Sequence, residues 1–164
     1  MTPHDTDVHT LNHLARDVAT RATVAVGLAA VGVIHLLDSI GKYGETRYLF
    51  WMYVALIAGS IVVAGAVLFT RSRAAFLAAA ALAGGALVGY VLSRTTGLPS
   101  AHGDVGNWTE PLGLASLFVE GSVVAVAGAA FLATRHSPRT QAVRAERAEQ
   151  RSARPITRQS VQAS

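Results

Sequence analysis

Residues 48–70 read YLFWMYVALIAGSIVVAGAVLFT, 23 positions without one acidic or basic side chain. A helix of that length covers about 34 Å at 1.5 Å per residue, enough for a hydrocarbon core of about 30 Å. A buried helix of a soluble domain is usually shorter and keeps a polar stripe. Tyr48, Phe50, Trp51 and Tyr53 crowd the start of the stretch, as amphipathic rings do at a membrane–water boundary.

Ala22–Ile40, Ala74–Ser93 and Leu112–Thr134 repeat the pattern, each about 20 residues long and nearly free of charge. Four such stretches in 164 residues leave little apolar sequence for a water-soluble core. The sequence therefore predicts an all-α bundle of four transmembrane helices at about 22–40, 48–70, 74–93 and 112–134, flanked by segments 1–21 and 135–164. Segment 1–21 is long and carries Asp5, Asp7 and Asp17, unlike the short basic start of a signal peptide, so the first stretch is expected to stay as a helix. There is no cysteine, which excludes disulfides and thiolate chemistry.

The net charge of +4 is informative by position. Arg16 and Arg21 precede the first stretch, Arg71 and Arg73 fill the turn between the second and third, and seven arginines follow the fourth. The opposite side carries only Lys42, Arg47 and Arg94. The positive-inside rule then predicts a multi-pass plasma-membrane protein with both termini cytoplasmic and loops 41–47 and 94–111 facing outward.

Val8, Leu11, Leu14, Ala15 and Val18 have the spacing of a short amphipathic helix lying on the inner leaflet. His9, His13 and Asp17 recur every fourth residue on its polar face, and read as a solvated face because no further ligand completes a metal set. The basic tail is too poor in apolar residues to fold alone. Its Arg135, Arg139, Arg144 and Arg147 would each add about 1 kcal/mol of attraction to anionic lipid. Its basic density and lack of aromatic residues speak against nucleic acid.

Small residues are expected to bring the helices together, since close backbone packing replaces the hydrophobic effect inside lipid. Gly85 and Gly89 form a GxxxG pair, and Gly121 opens a similar stripe with Ala125 and Ala129. The same stripes leave room for a homodimer or another membrane partner.

Within the four stretches only His35, Asp38 and Glu120 carry acidic or imidazole side chains. A charge at mid-bilayer costs roughly 2.5–3.5 kcal/mol, so such residues are rare unless paired or functional. His35 and Asp38 share a face of helix 1. Helix rise places His35 and Glu120 roughly 8 and 12 Å below the outer boundary, close enough in depth to meet. Tyr90 and Arg94 reach the same level from helix 3, with Glu110 or Asp38 the natural partner of Arg94. The expected pocket has His35 and Glu120 as its floor and Asp38 and Arg94 as its rim, with Tyr90 and Glu110 beside it.

Three uses remain open for this cluster: a binding pocket for an ion or small ligand, interhelical hydrogen bonds that only fix the bundle, or a metal-dependent enzyme. His35, Asp38 and Glu120 would suit zinc, manganese or iron(II) as a hard, oxygen-biased set. Haem is disfavoured by the single histidine in the spans, and no cofactor is predicted. Ser116 lies one turn from Glu120, which is no basis for nucleophilic catalysis. The working expectation is a non-enzymatic binder or accessory subunit.

Loop 94–111 is longer than most helix connections. Gly97, Pro99, Gly103, Asp104, Gly106 and Asn107 are turn formers, and Trp108 is placed to anchor at the interface. Asn107 or Thr109 is expected to cap helix 4, with Glu110 and Pro111 in its first turn and the loop a lid over the cluster. The strings GYVLSRTTGLP (89–99) and DVGNWTEPLGLASLFVE (104–120), preceded by VIHLLD (33–38), resemble a group of small four-helix actinobacterial membrane proteins. The resemblance covers helices 1 to 4 and implies a multi-pass plasma-membrane protein. It carries over no catalytic residue, because the group has none assigned.

Overall fold

The computed structural model describes residues 3–70, 72–133 and 146, with backbone alone at 3–10, 41, 42 and 45. Among these residues the chain is all-helical: α1 Pro3–Glu45, α2 Arg47–Phe69, α3 Arg73–Thr95 and α4 Pro111–Ala133. Each contains a stretch long and apolar enough to cross a membrane. The predicted tail contacts of Arg135, Arg139, Arg144 and Arg147, and the side chain of His9, lie outside the described residues.

α2, α3 and α4 have 23 residues each, or about 34 Å. α1 has 43 residues and is about 64 Å long, twice what a bilayer core requires. The N-terminal segment expected as a separate amphipathic helix is therefore continuous with α1. The expected loop 41–47 is also absent. Thr46 alone, extended at φ −146° and ψ 93°, separates α1 from α2, and its carbonyl accepts from the Leu49 and Phe50 amides. Backbone hydrogen bonds carry a helix past the end of its apolar stretch until a residue leaves helical geometry, and here Thr46 does so.

The helices alternate in direction, and one end of the bundle is organised by Arg21. Its Nη1 donates to the carbonyls of Val67 at 2.8 Å and Thr70 at 2.6 Å, while Nε pairs with Asp17 at 2.9 Å. The guanidinium also lies over the Phe76 ring. One side chain thus satisfies carbonyls left open at the end of α2 and reaches the first turn of α3. Ser72 caps α3 by accepting from the Ala74 amide, and Arg73 lies over Phe131 of α4. Of the polar face expected at His9, His13 and Asp17, Asp17 pairs with Arg21.

A core of Val24, Leu28, Val67, Phe76, Ala79, Ala83, Val123 and Ala127 fills this half of the bundle. α1 comes close to α4 at Gly27, where an added Cβ would lie 2.5 Å from Val123 Cγ2. Gly59 meets Leu82 in the same way at 3.1 Å. The contacts expected at Gly85, Gly89 and Gly121 are not made: a Cβ there would find no described atom within 4 Å. Sequence spacing identifies small residues on a face, but it does not say whether a neighbour occupies that face.

Gly27→Val should lower the thermal midpoint in detergent, because overpacking a closed contact costs about 1–3 kcal/mol. Gly128→Ala, which meets nothing within 4 Å, should leave that midpoint unchanged or raise it. Equal loss in both would show that the α1–α4 approach is not the tight contact.

Candidate functional site

The opposite half of the bundle is hollow. Toward the loop between α3 and α4 the helices line an open cavity of about 730 Å3. Its polar wall is built by His35 and Asp38 of α1, Tyr53 of α2, Tyr90, Ser93 and Arg94 of α3, Asp104 and Glu110 of the loop, and Ser116 of α4. Gly85 and Gly89 line it rather than a helix contact, which explains why their missing side chains face nothing.

Glu120 is wholly buried, at 0% exposure. Its Oε1 lies 3.6 Å from His35 Nε2 and accepts from Ser116 Oγ at 2.6 Å. His35 Nδ1 is 3.0 Å from the Val31 carbonyl, an acceptor, so that nitrogen carries a hydrogen. With one proton between them, Nε2 and the carboxyl are either imidazolium and carboxylate or imidazole and acid. Either state leaves the pair with no net charge in an apolar surround. Glu120 Oε2 is buried without a hydrogen-bond partner among the described residues.

The expected meeting of α1 and α4 through His35 and Glu120 is therefore present, but Glu120 is not part of the pocket floor. It stands behind His35 and Ser116 and does not line the cavity. Ser116 gives its hydroxyl hydrogen to the carboxyl and has no hydrogen bond to the imidazole, so the serine–histidine contact of a catalytic triad is not formed.

Asp38 pairs differently from expectation. Its Oδ2 accepts from the Tyr53 hydroxyl at 2.7 Å, and the Tyr53 ring stands edge-on to His35 at 5.2 Å. His35, Asp38 and Glu120 do not converge, and among the described residues no group of three such side chains is placed to hold a metal. The helix face that carries His35 toward α4 carries Asp38 toward α2, because a three-residue step turns the chain by about 300°, short of a full turn. Tyr53 reads in sequence as one ring of an aromatic belt, which hides its role as a donor.

Arg94 organises the loop as Arg21 organises the other end. It is 6% exposed, and its Nη1 and Nη2 pair with Asp104 Oδ1 and Glu110 Oε2, both at 3.0 Å. Its guanidinium lies 4.9 Å from the Tyr90 ring centre, and its carbonyl accepts from the Gly106 amide. Of the expected partners Glu110 is realised and Asp38 is not. Asp104, expected only as a turn former, is the addition. Glu110 also accepts from the Leu112 and Gly113 amides through its carboxylate, so it caps α4 in place of Asn107 or Thr109. Pro111 then takes the first helical position.

Two glycines make this lid possible. Gly97, at φ +77°, turns the chain out of α3, and a Cβ there would lie 2.6 Å from His102 Cδ2. Gly113 lets the Tyr90 ring rest against α4, where a Cβ would come within 2.5 Å of Cε2. Tyr48 ties α2 to the loop by donating to the Pro99 carbonyl at 2.7 Å.

Arg94→Ala should destabilise the fold by about 2–3 kcal/mol, below the about 3–5 kcal/mol of a fully buried pair because its carboxylate partners are partly exposed. Protease cleavage within 96–110 should accelerate in parallel. Arg94→Lys should fall between, since an ammonium cannot reproduce the planar fork that holds two carboxylates. Unchanged cleavage in Arg94→Ala would show that the loop is held by other contacts.

No protein-family model, curated protein or solved structure matches the chain.

Proposed function

We propose that this is a multi-pass plasma-membrane protein, both termini cytoplasmic, whose loop-end cavity binds a small ligand without chemical turnover. The observation that carries the reading is the cavity itself. About 730 Å3 lies within the usual range of roughly 300–1,000 Å3 for a small-molecule site, with polar groups gathered at one end and apolar walls along the rest. The orientation rests on arginine placement: Arg16, Arg21 and Arg73 lie toward one end of the helices and Arg47 and Arg94 toward the other, and the sequence adds Arg71 and seven arginines after α4 to the first group. On this reading the cavity and its lid face outward. The strings at 89–99 and 104–120 support kinship with the small actinobacterial membrane proteins they resemble.

A catalytic role has less support. Arg94 is engaged by two carboxylates, Ser116 makes no hydrogen bond to His35, and no metal set forms among the described residues. In a binding role the His35–Glu120 pair positions one wall of the cavity, and its loss should remove binding while leaving membrane insertion intact.

Because the chain has no cysteine, single cysteines report on access without background. Ser93→Cys should react with a membrane-impermeant thiol reagent added to intact cells, whereas Thr20→Cys should react only after permeabilisation. The reverse pattern would invert the orientation. No reaction of Ser93→Cys under either condition would mean that the cavity is closed to solutes, and the binding reading would fail.

A further inference from the structure

We propose that the cavity binds an amphiphilic cation, an organic ammonium carrying a hydrocarbon chain, with its head against Asp38 and its chain between α2 and α3. The inference rests on the binding role given above and specifies its ligand class.

The sign of the head group follows from how the charges are already used. Both terminal nitrogens of Arg94 are occupied, one by Asp104 and one by Glu110, so its charge is already balanced by two carboxylates and only the buried Nε is left to an incoming anion. Asp38 has the opposite situation. It lines the cavity, takes one hydrogen bond from Tyr53, and has no cationic partner within 4 Å among the described residues. A carboxylate at that depth is costly without a counter-charge, and a bound ammonium would supply one. His35, at the same wall, has its two nitrogens directed to Val31 and Glu120, so it does not compete for Asp38.

The chain follows from the shape and the walls. Met52 and Ala55 of α2, and Ala81 and Gly85 of α3, both line the cavity and are exposed on the bundle surface. The cavity therefore opens sideways between these two helices, where the surround is hydrocarbon. The missing side chains of Gly85 and Gly89 leave this slot clear, since no described atom lies within 4 Å of a Cβ placed on either. A ligand reaching Asp38 along this slot needs an apolar body and a charged tip.

The test uses the full chain in phosphatidylcholine nanodiscs, with empty nanodiscs as background, and three radiolabelled probes: dodecylammonium, dodecanoate and methylammonium. Dodecylammonium should bind saturably and at least about tenfold more tightly than either other probe. Asp38→Asn should weaken it by about tenfold or more, Asp38→Glu should restore it, and Gly89→Leu should block it by filling the slot. The comparison of probes on the unaltered chain stands even if a variant fails to fold. Equal or tighter binding of dodecanoate would overturn the cation assignment while leaving a binding cavity in place. Tighter binding of methylammonium would overturn the hydrocarbon chain. No saturable binding of any probe would overturn the proposal, and labelling of Ser93→Cys then tells whether the cavity reading falls with it.

Discussion

A carboxyl group with no exposure to solvent, Glu120, is the constraint around which α1 and α4 are arranged. Moving such a group out of water is expensive, and the cost falls only when donors or an opposite charge meet it. Ser116 supplies one hydrogen from the same helix, one turn away. The other contact must come from another helix, and His35 is the group that α1 offers at that level. This fixes the rotation of α1 about its own axis as well as its depth. With His35 toward α4, the same helix turn places Asp38 toward α2, where Tyr53 meets it.

The two ends of the bundle use arginine for different purposes. Arg21 donates to backbone carbonyls at the end of α2 and so closes a turn that has almost no loop. Arg94 binds two loop carboxylates, one of which also caps α4. The guanidinium fork suits both purposes because it presents several donors in fixed directions. Between these ends the packing is uneven: alanine, valine and phenylalanine fill the Arg21 half, while glycines at 85 and 89 leave the other half open.

Much of this was legible in the sequence. The ends expected for α2, α3 and α4 agree with the observed helices to within two residues, because uncharged length is a direct record of what must cross lipid. α1 was not legible in the same way, since hydropathy marks the apolar interval and not the helix, which continues through polar residues at both ends. The His35–Glu120 meeting could be reached from depth alone. The partners of Asp38 and Arg94 could not, because depth arithmetic carries no information on which way a side chain leaves its helix. Tyr53 and Asp104 were hidden by their commoner roles as interface ring and turn former.

The hollow half also shows why a glycine stripe admits two opposite outcomes. Removing Cβ atoms lowers the bulk between two helices, and the helices either close on the space or stay apart. Closure needs the flanking groups to permit approach, as they do at Gly27 against Val123. At Gly85 and Gly89 the approach is limited from above by Tyr90, which is wedged against Gly113 and stacked beneath Arg94. The loop therefore props α3 while the glycines thin its inner surface. The two effects together produce a cavity beside Asp38.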